Sequence, residues 1–566
     1  MRITFKPYIL FILAILYGLV FLLPFSGAVH LFDWDEIIYA ESAREMIVNN
    51  DYMTVTINYE PFWEKPPMFI WLQVISMKIF GINEFAARFP NAICGVIVLI
   101  SLFLTGKRIH GDKFGMLWAA AFGTAILPFF YFRTGIIDPW FNLFIFYGFI
   151  FFIFYLVPER FPRRHINVAL SALFLGLAVL TKGPVAVLIF ALSFSIYLVY
   201  KKAKLPVKFS HVVLFIFVLA VVGGSWFLVA VLKGNMQVIK DFIAYQSGLL
   251  TNDFAGHSGF PGFHFVILLV GVFPASILML GGFTKKKEEG DLAQTFRTWM
   301  FILIALVLVL FSFVETKLVH YSSLAYFPMT FIAAWFVYHW SERKIEIKKI
   351  QLVLLGVIAF ILVSLTALVP TLLMRPEILT ERFSSLMTPY VEGVLLSGTG
   401  WSILDYLPAV ILLAGIAYSI NRINRRDRTG MIVLHTTALL FTFSAMLLFV
   451  PKIERMIQKP AIDFMKQHSG EHENVITLGF KSFAPYFYGA GMPEEQQAEM
   501  TEAWLEGEEG TKPLYVVMKA DNSRKILDKY PHLIRLGEQG GYVFAVFGEK
   551  MENANSAISE DGILMY

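Results

Sequence analysis

Read for its apolar and polar positions, the chain is a series of long hydrophobic stretches separated by short charged connections. The stretches run over roughly 8–29, 89–106, 114–132, 139–157, 166–181, 184–200, 209–232, 264–283, 298–314, 322–340, 351–374, 402–420 and 431–450. Each is close to the ~20 residues that a helix needs to cross ~30 Å of hydrocarbon, so the pattern predicts about thirteen transmembrane helices. A further run, Met68–Phe80, is too short to span and reads as a helix lying along the interface. The first run has no small-residue cleavage site and is read as an uncleaved helix.

From about Pro451 the pattern changes: hydropathy falls and charges become frequent. Segments 474–480 and 514–518 predict short buried strands, 523–530 a helix, and 541–547 another strand after the turn Glu538-Gln539-Gly540. The expected organisation is therefore an all-α polytopic membrane domain over 1–450 and a small α/β soluble domain over 451–566. No repeat of 20–50 residues is visible, which argues against a solenoid and against a pseudo-symmetric transporter.

Composition agrees. Of the 566 residues 57% are hydrophobic, mean hydropathy is +0.63 and Phe occurs 56 times. Only 16% are charged, against roughly 25% for soluble proteins. The single cysteine, Cys94, excludes an internal disulfide and a cysteine metal cluster. Net charge is only +4, and its distribution says more than its sum. Alternate short connections hold about two dozen Lys and Arg, starting with Arg2 and Lys6 and including Arg160…Arg164, Lys285-Lys286-Lys287 and Arg422…Arg428. By the excess of basic residues in cytoplasmic loops, the N-terminus is expected inside and the tail outside.

The outer connections carry the candidate chemistry. The loop over 30–88 holds nine acids from Asp33 to Glu84, with Asp35 and Tyr39 one helical turn apart and thus on one face. Glu41, Arg44 and Glu45 read as structural. In Glu64-Lys65-Pro66-Pro67 the prolines fix the backbone, so the Lys65 ammonium is held at a defined place, suited to a phosphate. Arg133, Asp138-Pro139, Thr181-Lys182-Gly183 and Glu315-Thr316-Lys317-Leu318-Val319-His320-Tyr321 lie at other outer ends of spans, and 233–263, with His257 and His264, reads as a lid. Charges near a membrane are costly unless solvated, paired or used. No glycine-rich phosphate loop is present, so no nucleotide cofactor is expected.

In this order, Asp-Glu-x-x-Tyr-Ala-Glu…Arg-Glu-Met, Glu-Lys-Pro-Pro, Asp-Pro, Thr-Lys-Gly and Lys-Leu-x-x-Tyr resemble the membrane enzymes of glycosyltransferase family 39, nearest to their lipid A aminoarabinose transferase branch. The resemblance covers about residues 1–340. It implies the GT-C architecture and a sugar donor carried on polyprenyl (undecaprenyl) phosphate. It further implies lipid A or another envelope acceptor, membrane lipids as surroundings, no nucleic-acid partner, and a bacterial inner-membrane location. Carried over position by position, it makes Asp35, Tyr39 and Asp138 catalytic candidates and Lys65, Lys182, Tyr321 and Glu36 substrate-binding ones. Glu64 and His257, chosen over His264, are candidate ligands of a divalent metal. A family arginine just before the tyrosine is Ile38 here, so a phosphate-binding charge is either missing or supplied by Arg133 or Lys317. The implied reaction is direct inverting transfer, with protein O-mannosylation or another envelope glycan as the alternative, and a lipid or solute transporter as the alternative of another class.

Overall fold

The computed structural model describes residues 7–204, 207–234, 236–251, 259–284, 290–314, 317–398, 400–469, 474–489 and 513–547. All thirteen apolar runs fall on helices, but not all on long straight ones. Eight described helices are long and apolar enough to cross a membrane, or nine if the pair Phe263–Gly271 and Ala275–Phe283, bent by 107°, is one span. The run 114–132 divides into Asp112–Gly123 and Ile126–Tyr131, and the runs 184–200 and 322–340 form 16-residue helices, Val185–Tyr200 and Tyr326–Ser341.

Helix ends follow local chemistry. The helix Glu84–His110 starts where Asn83 accepts a hydrogen bond from the Ala86 N–H and carries Lys107 and Arg108 in its last turn, cations on the negative end of the helix dipole. Asp138–Leu156 begins with an acid and a proline. Arg164–Lys182 ends at Gly183, whose φ of 98° suits glycine and closes the helix with its N–H on the Val179 carbonyl.

The largest apolar core is that of the helical body, centred on Asp138–Leu156 and Tyr326–Ser341, both buried along most of their length. A second core lies at one end of it. There the helix Asp35–Val48 and the 13-residue helix Met68–Phe80 pack together, and Leu31, Ile37, Tyr39 and Phe69 share one apolar cluster with Phe464, Val517 and Phe544 of the C-terminal region. The tail is therefore seated on the first loop. Its sheet has the order β3-β4-β6-β5, with β3 Asn474–Leu478 parallel to β4 Leu514–Lys519 and the pairs β4–β6 (β6 is Tyr542–Phe547) and β6–β5 (β5 is Ile534–Gln539) antiparallel. β1 Thr56–Ile57 and β2 Glu60–Pro61 form a small ribbon in the first loop.

Strand β5 is absent from the sequence expectation: Ile534-Arg535-Leu536-Gly537-Glu538-Gln539 is an exposed edge and shows no buried alternation. The expected turn at 538–540 is a β5–β6 hairpin through Gly540-Gly541, both at positive φ. A Cβ on Gly541 would meet the Tyr390 carbonyl, so the hairpin tip lies close against the helix Pro389–Leu396. The helix Thr429–Ile457 runs through position 450, and the sheet begins only at Asn474.

Candidate active site

Asp138–Leu156 and Arg164–Lys182 form a helical hairpin of two equal 19-residue arms. Equal length puts the first residue of one arm beside the last residue of the other. Asp138 and Lys182 meet there, Nζ to Oδ1 at 2.6 Å, with side chains 5% and 19% exposed. Each charge also suits its own helix end. The Lys182 ammonium lies 5.4 Å from the Tyr321 ring and 5.9 Å from that of Phe141.

Around this pair two more segments converge. Lys65, ahead of Pro66-Pro67, is 12% exposed and its Nζ is 3.7 Å from Glu64 Oε2. Burial pulls its pKa below the ordinary lysine range; Glu64 opposes that shift, Lys182 adds to it, and Asp35 and Asp138 also act on the ammonium. Asp35, the first residue of its helix, faces His320, Oδ2 to Nε2 at 3.9 Å. His320 stands in the 3₁₀ turn Val319–Ala325; burial lowers its pKa, Asp138 and Asp35 oppose, and Lys182 and Lys65 push the same way as burial. Burial raises the neighbouring Tyr321 phenol, with Lys182 opposing. Asp35, Glu64, Lys65, Asp138, Lys182, His320 and Tyr321 thus form one electrostatically coupled group drawn from separate parts of the chain. Sequence reading placed His320 in the right motif without a role, because its pairing with Asp35 is set by tertiary contact alone.

Other candidates are committed elsewhere. Glu36 is buried and accepts hydrogen bonds from Arg88 Nε and Nη2, the Phe32 N–H and the Gly135 N–H. Arg88 in turn donates to the carbonyls of Ser26, Val29 and His30, so the pair ties the first loop to the helix Glu84–His110. This is a structural lock where substrate binding was expected. Arg133 donates to the carbonyls of Phe21 and Pro24, at the end of the first apolar helix. Lys317 donates to the carbonyls of Phe311, Ser312 and Val314 and so caps the helix Asp291–Phe313. Neither supplies a charge in place of an arginine at Ile38, itself buried in the core of the loop. Tyr39 is buried with its ring edge-on to Phe69. As the sequence suggested, Glu41 takes two hydrogen bonds from Arg44, and Glu45 accepts from the Tyr59 N–H.

His257 lies outside the described residues, Glu64 is beside the Lys65 ammonium, and no group of three His, Cys, Asp or Glu able to hold a metal ion occurs among the described residues. His264 is buried with Nδ1 3.1 Å from Ser322 Oγ. A cavity of about 430 Å³ lined by Arg343, Arg426 and Arg428 lies past Ser341, at the far end of the helix Tyr326–Ser341 from Tyr321, and is separate from the charged group.

Residues 64–226, which hold Lys65, Asp138 and Lys182, match the family described as dolichyl-phosphate-mannose-protein mannosyltransferase. An undecaprenyl phosphate-alpha-4-amino-4-deoxy-L-arabinose arabinosyl transferase of Photorhabdus laumondii is 25% identical over 439 residues, 75% of this chain and 79% of that protein. A protein of Aquifex aeolicus is 27% identical over 327 residues, and the match spans 55% of this chain and 60% of that relative. In fold, the chain is similar to the crystal structure of ArnT from Cupriavidus metallidurans bound to undecaprenyl phosphate: TM-score 0.76, 18% identity, covering 96% of this chain and 98% of that one. Over 64–226 the chain is thus similar to that mannosyltransferase family, and over nearly its whole length it shares the fold of the ArnT structure.

Proposed function

We propose that the protein transfers a sugar from undecaprenyl phosphate to lipid A at the outer face of the bacterial cytoplasmic membrane. The observation that carries this is the convergence of Lys65, Lys182, Asp35, Asp138 and His320 at the end of the bundle where the first loop meets the C-terminal unit. Support for the carrier comes from the arabinosyl transferases among its relatives, whose names specify an undecaprenyl phosphate-linked sugar; lipid A as acceptor is what the family resemblance implies. In this reading the N-terminus is cytoplasmic, residues 1–450 form the transferase body, and 451–566 cap it from outside.

The acceptor oxygen attacks the anomeric carbon from the side opposite the carrier, and the bond from that carbon to the carrier phosphate oxygen breaks with inversion. The leaving phosphate takes the electron pair, and Lys65 and Lys182 stabilise its growing charge. Asp138 holds Lys182 at that spot. Asp35 faces the sugar; it takes the proton of a hydroxyl acceptor, while an ionised phosphate acceptor needs only its electrostatic support. Tyr321 lines the donor side beside Lys182. The lid expected over 233–263 includes residues 252–258, which lie outside the described residues. No step is assigned to a metal.

Mass spectrometry of lipid A from cells with and without the protein tests the reading. A protein-dependent mass increment on lipid A, lost in Asp35→Asn and Lys65→Ala at equal expression, is the expected result. An increment on protein or on another glycan would move the acceptor to the alternative transferase reading. Normal transfer by either variant would remove that residue from the mechanism.

A further inference from the structure

Trp34, immediately before Asp35, has its backbone at φ 74° and ψ −113°, a region that non-glycine residues rarely adopt. Its indole is nonetheless 50% exposed, so burial of the ring does not account for the conformation. Contacts from both ends of the chain hold it. Asp33 Oδ1 accepts the Trp34 N–H at 2.7 Å and the Phe483 N–H at 3.0 Å. The Phe483 ring meets the indole edge-on at 5.5 Å, and the exposed Lys481 ammonium lies 5.4 Å from the indole and 5.2 Å from the Phe483 ring. Nearby, the Leu31 N–H donates to the Tyr488 hydroxyl, anchoring the same junction. A half-open aromatic ring and an ammonium are thus presented together, one residue from Asp35, by segments about 450 positions apart.

We propose that Trp34 and Lys481 form the acceptor subsite, taking a phosphorylated saccharide. The apolar face of the sugar ring stacks on the electron-rich indole face, and the phosphate sits on Lys481. The carrier phosphate is met separately, by Lys65 and Lys182. This inference rests on the transferase reading and adds where the acceptor enters: between the first loop and the C-terminal unit.

The test uses the full chain in nanodiscs, with undecaprenyl-phosphate-linked aminoarabinose as donor and diphosphorylated lipid A as acceptor, beside direct binding of lipid A and of undecaprenyl phosphate measured without turnover. Trp34→Ala and Lys481→Glu should each raise the acceptor KM and weaken lipid A binding by about tenfold or more, with undecaprenyl phosphate binding unchanged. Trp34→Phe and Lys481→Arg should recover most of the loss. Dephosphorylated lipid A should bind the wild type and Lys481→Glu alike. Equal lipid A binding by wild type, Trp34→Ala and Lys481→Glu overturns the subsite even if transfer proceeds. If lipid A binds and the variants weaken it but no sugar is transferred, the transferase reading fails and the subsite stands.

Discussion

Glu36→Gln separates a structural carboxylate from a ligand-binding one. In the native protein Glu36 receives four hydrogen bonds: from Arg88 at 2.9 and 2.7 Å, from the Phe32 N–H at 2.9 Å and from the Gly135 N–H at 2.5 Å. Both charged side chains are almost fully buried, at 4% and 5% exposure. Glutamine keeps one oxygen, but its amide then faces donors on the other side, and the Arg88 charge loses its counterion. Breaking one partner of a buried, hydrogen-bonded pair costs about 3–5 kcal/mol, roughly a hundredfold or more in the folding equilibrium. Arg88→Met should cost more, because it leaves the Glu36 charge buried and also removes the donor to three carbonyls. The assay is thermal unfolding of purified protein in detergent, followed by loss of the monodisperse peak, with undecaprenyl phosphate affinity measured on the folded fraction. Both variants should unfold at markedly lower temperature while the folded fraction binds undecaprenyl phosphate normally. An unchanged unfolding temperature with lost binding would show that Glu36 is a ligand and would refute the lock.

Three further outcomes follow from the same geometry. Because the folded Lys65 pKa lies below its unfolded value, its charge is lost earlier as pH rises; affinity for undecaprenyl phosphate should fall below the ordinary lysine range, and Lys65→Arg should carry the alkaline limb to higher pH. Asp138→Asn leaves Lys182 without its 2.6 Å partner and should lower kcat by an order of magnitude or more with less effect on acceptor KM, measured by steady-state transfer kinetics. Lys317→Met removes the cap on three helix-end carbonyls and should lower the unfolding temperature, by about 1–3 kcal/mol of stability, while undecaprenyl phosphate affinity holds.

Much of this protein was legible as pattern. Apolar periodicity and length located the long apolar helices, since the hydrocarbon core demands continuous apolar surface whatever the neighbours are, but not the helices Met236–Thr251, Pro389–Leu396 and Lys459–Gln467. It did not separate straight spans from broken ones: Phe263–Gly271 and Ala275–Phe283 meet at a 107° bend beside Pro274, and 114–132 divides after Gly123. Proline and charge placement marked Lys65, Asp138 and Lys182, whose positions follow from local stiffness and from two helices of equal length. Lys317, Arg133 and Glu36 looked equivalent to them in the sequence. Folding turned the first two onto carbonyls at helix ends and the third onto Arg88, because a buried orphan carbonyl or guanidinium claims the nearest partner. His320 and Lys481 gained meaning the opposite way, through Asp35 and Trp34, residues hundreds of positions distant. Sequence by itself thus determined which residues are charged at the ends of the apolar runs. Tertiary structure decided which of those charges the fold consumes and which it leaves gathered in one place, since pairing energy depends on distance in space and desolvation, neither of which is written along the chain.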